Sequence, residues 1–144
     1  MKKVEKIKEL NDLYQIAENE GVTVECFKLD SAEALSLILG ENTYIAIDPF
    51  QLKSVADEKV KLAHDLGHCV QGAFYNQYSS VDIVGRSEYK ANKWAIKQLV
   101  PKDELEKAYS EGETTISDLS EHFGVTEQFM RLACDFYANV SEMR

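Results

Sequence analysis

The residues with the clearest chemical potential are two histidines four positions apart, His64 and His68. On a helix, this spacing projects both imidazoles from one face, a single turn apart. Neutral imidazole is a good zinc ligand, and a catalytic zinc site normally takes one more protein ligand and leaves a position open for water. The pair therefore predicts one part of a metal site, and a third ligand is expected elsewhere in the chain.

Glu88 is the candidate for the third ligand, because it follows His68 by twenty residues and begins a stretch with helical character. Its carboxylate would complete a His-His-Glu set. The small residues Ala91 and Ala95 would let this second helix pack closely on the first. Asn92, one turn after Glu88, is placed to hydrogen-bond to a ligand from outside the metal shell.

The stretches around these residues resemble the ImmA/IrrE family of zinc metallopeptidases, whose members carry a run like L-A-H-E-L-G-H, then E-x-x-A-N-x-F-A and a proline. The matching stretches here are Leu62-Ala63-His64-Asp65-Leu66-Gly67-His68, Glu88-Tyr89-Lys90-Ala91-Asn92-Lys93-Trp94-Ala95 and Leu99-Val100-Pro101. Residues 118–126 are similar to the family's L-A-x-x-F-x-V-S segment. The resemblance covers residues 45–137, and the two-part metal motif makes it specific.

The resemblance implies a cytoplasmic zinc-dependent endopeptidase with a zincin-like fold, in which His64, His68 and Glu88 hold Zn²⁺. The family is associated with cleavage of helix-turn-helix repressors, which are often encoded beside the peptidase in phages and integrative elements. The implied partner is therefore a protein substrate, in the first place a helix-turn-helix repressor.

Asp65 departs from the family pattern, whose H-E-x-x-H motif has a glutamate at this position as general base. That base takes a proton from the attacking water and later delivers one to the leaving amine. Aspartate has the same charge and similar acidity, but its carboxylate is one methylene shorter, and such a misplacement can cost about a hundredfold in rate. Two outcomes follow: a slower peptidase with Asp65 as its catalytic residue, which we favour, and a metal-binding protein without turnover.

The two metal motifs need two helices, and the hydrophobic pattern supplies them. Apolar positions with helical spacing predict one helix over 54–74. Gly67 has no side chain and makes this helix narrower between the two histidines. A polar loop over 76–85 follows. A second helix is expected over 87–99, closed by Val100 and Pro101.

The rest of the chain predicts an α+β architecture in a single domain over residues 1–144. Apolar positions from Val4 to Ala17 indicate a first helix, and residues 22–29 a strand. The runs 35–39 and 43–47 form a hairpin. We therefore expect a small antiparallel sheet, the two central metal-binding helices, and two more helical segments over 114–137.

The overall charge and the cysteines restrict the partners and the compartment. A formal net charge of −9 and a pI near 4.8 disfavour nucleic acid and anionic membranes as partners. The three cysteines are odd in number and include no C-x-x-C pair, which is not typical of a secreted disulfide framework. No apolar signal-peptide segment follows the basic start of the chain. A cytoplasmic location is predicted, while the oligomeric state stays open.

Two alternatives belong to other functional classes. Residues 116–137 have the pattern of a helix-turn-helix, with Gly124 in the turn, but residues 111–144 carry seven acidic and only two basic side chains. A DNA reader would need basic side chains toward the phosphates. The second alternative is a non-catalytic regulator that binds a repressor or another protein and uses zinc structurally. Such a site is usually closed by a fourth protein ligand, for which Cys69 and His122 are the candidates.

Overall fold

A computed structural model describes residues 7–30 and 32–142 of the chain, with side chains up to residue 140. Its elements are α1 (Leu10–Asn19), β1 (Val22–Cys26), β2 (Ala34–Leu39), β3 (Asn42–Ile47), α2 (Val55–Gln71), α3 (Val81–Leu99), α4 (Lys102–Ser110), α5 (Ile116–Phe123) and α6 (Glu127–Glu142). The predicted α+β class is confirmed. None of the helices in these described ranges is long and apolar enough to span a membrane.

The sheet is mixed, so the prediction of an antiparallel sheet was wrong in one respect. The predicted hairpin is present, with β2 antiparallel to β3, but β1 pairs with β3 in parallel and the strand order is β1-β3-β2. β2 lies on the far side of β3 from β1, and the hairpin leads the chain from β2 back into β3. β3 is therefore the central strand, and it runs in the same direction as β1.

Asp48 explains why β1 ends at Cys26 rather than at the predicted Leu29. Its buried carboxylate accepts hydrogen bonds from the Leu29 amide at 2.9 Å and from the Phe50 amide at 3.1 Å. The side-chain amide of Gln51 also donates to it, and this hydrogen bond is the main cause that holds the pKa of Asp48 below its usual value, followed by the Leu29 amide. The Phe27 amide still donates to the Ile47 carbonyl oxygen at 2.9 Å, and beyond it Leu29 is held by Asp48 instead of by β3.

The two central helices are confirmed with revised bounds. In α2, the Ser54 hydroxyl accepts a hydrogen bond from the Asp57 amide at 3.0 Å, and Gly72 ends the helix in a left-handed conformation with φ 61°. The helix α3 begins at Val81 instead of residue 87, because the Ser80 hydroxyl caps it by accepting from the Ile83 amide at 3.3 Å.

The helix α4 and the start of α1 also differ from the sequence expectation. Nothing was predicted for residues 102–110, although Pro101 and the acidic first turn of Asp103 and Glu104 favour a helix start there. The first helix begins at Leu10, and Val4, predicted as one of its apolar positions, lies outside the described residues.

The hydrophobic core surrounds α2, which contacts α1, α3, β2 and β3. Its largest fully buried apolar side chains are Leu13, Ile45, Leu62, Leu66, Ile96, Leu99, Val100, Phe123 and Met130. The C-terminal helices therefore pack on the core. Lys59 strengthens this arrangement, because its side chain is only 3% exposed and its Nζ donates to the Phe123 carbonyl oxygen at 2.6 Å, at the end of α5.

Candidate metal centre

The close approach of α2 and α3 begins at Gly67, the residue between the two histidines. A Cβ atom at this position would lie 2.6 Å from the carbonyl oxygen of Ala91 and 2.9 Å from its Cα. Ala91 and Ala95 are fully buried at the same contact. The sequence predicted this packing of small residues, and its consequence is that Glu88, one turn before Ala91, lies beside both imidazoles.

The three predicted ligand residues form one cluster. The Nε2 atoms of His64 and His68 are 3.2 Å apart. Glu88 places Oε2 at 2.9 Å from Nε2 of His64 and Oε1 at 3.4 Å from Nε2 of His68. One ligand atom from each residue can thus be chosen so that all lie within 4.8 Å of one another, a grouping that could hold a metal ion.

The hydrogen bonds made by Nδ1 of each histidine show which atom of the ring carries the proton. Nδ1 of His68 lies 2.6 Å from the Ala73 carbonyl oxygen, and Nδ1 of His64 lies 2.8 Å from Oδ1 of Asn92. Since these oxygens can only accept, each Nδ1 carries the proton and each Nε2 of a neutral ring presents a lone pair. Asn92 thus makes the hydrogen bond to a candidate ligand that its spacing predicted.

The donor set fits a divalent cation. Burial is the main cause that lowers the pKa of His64, which favours the neutral imidazole needed for ligation despite the nearby Glu88. The lone pairs of two imidazoles and the carboxylate of Glu88 then face one another with no proton between them. A bound cation would remove their mutual repulsion. In a tetrahedral zinc site with ligand bonds near 2.0–2.1 Å, neighbouring ligand atoms lie about 3.3 Å apart, close to the separations seen here.

Two residues outside the predicted set hydrogen-bond to the candidate ligands or to the group that holds one of them. The Tyr75 hydroxyl donates to Oε1 of Glu88 at 2.5 Å, and its ring lies at 6.0 Å from the His68 ring. The hydroxyl of Ser87 donates to the same Ala73 carbonyl that holds His68, at 2.6 Å. Neither role could be deduced from the sequence, because both depend on how the chain turns after α2.

The cluster opens into a cleft of about 330 Å³, lined by Ala34, Leu35, Ser36, Lys61, His64, Asp65, His68, Phe74, Tyr75 and Glu88. Three of these residues follow one another in β2. Because successive side chains of a strand point to opposite faces, a run of three indicates that the edge of β2 borders the cleft. In the described part of the chain, β2 pairs with β3 alone, so this edge is free.

Asp65 lies in the same cleft, beside the ligand cluster. It is 7% exposed, and its carboxyl group makes no hydrogen bond with any residue that the structure describes. Burial raises its pKa to about 7, the charge of Glu88 adds to this increase, and Lys61 opposes it. A cation bound by the neighbouring ligands would also lower this pKa.

The two residues considered as a fourth ligand are not part of the cluster. His122 pairs through Nδ1 with Glu113 at 2.7 Å. Burial is the main cause that raises the pKa of the Cys69 thiol to about 11, so this group stays protonated near neutral pH. Within the described ranges, only His64, His68 and Glu88 meet as a potential metal-binding group.

The chain matches the model of a known protein family. The family model Peptidase_M78, described as the IrrE N-terminal-like domain, matches residues 17–134. The matched range contains the sheet, both central helices and α5. A comparison with curated proteins gives no significant match.

Proposed function

Because the chain belongs to the peptidase M78 family, a family of metallopeptidase type, we propose that it is a zinc-dependent endopeptidase with His64, His68 and Glu88 as the ligands. The convergence of these three donors beside the buried carboxyl of Asp65, in one open cleft, supports this function best. Three protein ligands leave a coordination position free, as a catalytic rather than a structural zinc site requires.

The chemistry can be divided between the ion and the side chains. When bound, zinc supplies a Lewis acid that acidifies water and polarises a peptide carbonyl. Asp65 accepts the proton of the attacking water and delivers a proton to the leaving amine. In the metal-free protein burial raises the pKa of this carboxyl to about 7, and a bound cation would favour the ionised form that accepts the first proton.

The substrate we propose is a polypeptide bound in extended form along the free edge of β2. Its backbone would add hydrogen bonds to that strand, while its side chains would alternate between the cleft and solvent. The resemblance to repressor-cleaving peptidases favours a helix-turn-helix repressor in the cytoplasm as the natural substrate.

The ligand assignment is tested by metal analysis of the purified protein. Wild type should bind close to one zinc per chain, and His64→Ala, His68→Ala and Glu88→Ala should each lower that content. His122→Ala is the matched control, since its ring pairs with Glu113 and lies outside the cluster. Equal zinc in all the variants would show that the site is misassigned. Affinity should also weaken as the pH falls below the histidine range, because the ligating rings must be neutral.

The role of Asp65 is tested with the repressor encoded nearest to the gene, with and without a chelator. Asp65→Asn should keep zinc and lose cleavage, because the amide cannot accept the proton of the water. Asp65→Glu should preserve or raise the rate. Equal cleavage by wild type and Asp65→Asn would remove Asp65 from the mechanism.

The alternative function is a non-catalytic zinc-binding regulator, and the shorter side chain of Asp65 is the observation that favours it. In that case, wild type would bind the repressor without cutting it, while Asp65→Glu would restore cleavage. That pair of results would replace the peptidase proposal.

A further inference from the structure

The face of α3 that points away from the metal centre carries four basic side chains. Arg86, Lys90, Lys93 and Lys97 are spaced by four, three and four residues, so they form one stripe along the helix. All four are exposed. At 1.5 Å per residue, the stripe extends over about 16 Å.

This basic stripe has no acidic partners in the structure. None of its four side chains forms an ion pair with a residue in the described ranges, and between its two ends Glu88 is the only acidic residue, which belongs to the metal cluster. The chain has a net charge of −9, so removal of these four positive charges would leave −13. The protein therefore concentrates unpaired positive charge on one face, against an acidic background.

The stripe lines a groove that also includes two aromatic side chains. The groove measures about 510 Å³ and is lined by Gln71, Gly85, Arg86, Tyr89, Lys90, Lys93, Trp94 and Lys97. Tyr89 is 55% exposed although its ring lies at 6.3 Å from that of Phe136 on α6, and Trp94 is half-buried. Gly85 leaves its end of the groove open, since a Cβ there would meet nothing within 4 Å.

We propose that this groove binds an acidic polypeptide segment of a partner protein, with aromatic or aliphatic side chains packed against Trp94 and Tyr89. The carboxylates of such a segment would pair with the stripe, and the rings would bury its apolar side chains. A long polyanion such as duplex DNA fits less well, because it would extend past the stripe onto the rest of a protein whose net charge is negative.

The groove lies on the side of α3 opposite to the cleft. Arg86 and Lys90 are each two positions from Glu88, which corresponds to about 200° around the helix. A segment held there leaves the cleft accessible. The groove is therefore a second binding surface, and it can be tested without zinc and without cleavage.

Trp94 gives a direct readout, because it is the only tryptophan of the chain. Titration with a short peptide of Asp and Glu with a central Phe should change the Trp94 emission at low salt, and the effect should weaken as salt rises. The same peptide with Asn and Gln in place of the acids should bind at least about tenfold more weakly. Equal binding of the two peptides would overturn the proposal.

Charge-reversal variants locate the binding surface. Lys90→Glu/Lys97→Glu should weaken binding of the acidic peptide by at least about tenfold, and Lys90→Gln/Lys97→Gln should give a smaller loss. Lys28→Glu/Lys107→Glu is the matched control, because it changes the net charge equally at exposed lysines outside the groove. Equal losses in the two charge-reversal variants would show that only the overall charge matters.

Two other occupants are distinguished by the same variants. Binding of duplex DNA more tightly than of the peptide, lost in Lys90→Glu/Lys97→Glu, would assign the groove to nucleic acid and overturn the proposal. Salt-sensitive self-association in sedimentation, lost in that variant, would place a second copy of the chain there with the same consequence.

Discussion

The two histidines of the candidate metal centre differ in the group that hydrogen-bonds to their Nδ1 atom. His68 is held by the main-chain carbonyl of Ala73, whereas His64 is held by the side-chain amide of Asn92. The first contact depends on the turn after α2 and survives most substitutions. The second depends on one residue type, so the orientation of His64 can be tested by mutation.

Asn92→Ala should lower the zinc affinity by about 10-fold to 100-fold, because the His64 ring would lose the acceptor that fixes its tautomer. Asn92→Asp should retain most of the affinity, since its carboxylate can accept the same hydrogen bond. Competition against a fluorescent chelator measures both constants. If the alanine variant binds zinc as tightly as wild type, the hydrogen bond does not orient the ligand.

Tyr75→Phe should also weaken zinc binding, by up to about tenfold, because Glu88 would lose the donor that fixes its carboxylate. The hydrogen bond to Glu88 is the main cause that raises the pKa of Tyr75 to about 12, so the donor persists across the neutral range. Tyr78→Phe is the matched control, since this loop tyrosine is 87% exposed. An equal effect of the two variants in the same chelator titration would contradict the role of Tyr75.

At the level of single residues, the sequence indicated the side chains whose chemistry depends on helical spacing. His64, His68, Glu88 and Asn92 repeat at intervals that place them on facing sides of two helices. The hydrogen bond from His68 to the Ala73 carbonyl could not be predicted from the sequence, because every residue has a main-chain carbonyl. Tyr75 could not be selected among the loop tyrosines without the path of the loop.

Among the elements, the pair α2 and α3 positions the whole site through the contact of Gly67 with the Ala91 backbone. A methyl group cannot be accommodated by a rotamer change here, because the atoms that it meets belong to the main chain. The two helices would have to separate, and Glu88 would move away from the histidines.

Gly67→Ala should therefore destabilise the metal-free protein by about 1–3 kcal/mol and reduce its zinc content. Gly85→Ala is the matched control in α3, where a Cβ meets nothing within 4 Å. It should be neutral or stabilising by up to about 1 kcal/mol, because alanine is the better helix former. Urea unfolding followed by circular dichroism measures both changes, and similar effects at the two glycines would contradict the tight contact.

The hydrophobic pattern predicted which segments become helices and strands better than it predicted how they are arranged. β1 pairs with β3 in parallel, and just beyond β1 the Leu29 amide donates to the Asp48 carboxylate across nineteen positions of sequence. Such a contact has no periodic signature. The helix α3 starts early because Ser80 caps it. The hydrophobic pattern did not indicate this start, because the apolar residues Val81 and Ile83 are exposed.

For the molecule as a whole, the net charge was an incomplete guide to partners. The value of −9 argues against nucleic acid, but it conceals the basic stripe on α3. A net charge summed over the whole chain does not show the helical spacing that places four basic side chains on one face. The charge of each face, rather than of the chain, is therefore the better basis for predicting partners.

We expect no tight binding of duplex DNA by the C-terminal helices, despite their helix-turn-helix pattern around Gly124. Their sequence from 111 to 144 is strongly acidic, and α5 and α6 use Phe123 and Met130 to pack on the core. Gel-shift titration at physiological salt measures this. Salt-sensitive binding that persists in Lys90→Glu/Lys97→Glu would place a DNA surface outside the α3 groove and contradict the expectation.

The bond from Lys59 to the Phe123 carbonyl has a consequence for local opening. Separation of the C-terminal helices from α2 would leave an ammonium group and a carbonyl without their partner in a region that excludes water. The slowest amides of α2, α5 and α6 should consequently exchange hydrogen with solvent in a single cooperative unit, with one free energy of opening. Native-state exchange of the metal-free protein measures it, and α5 and α6 exchanging well before α2 would show two units. If the unit is single, damage near the C-terminus will loosen the helix that carries both histidines.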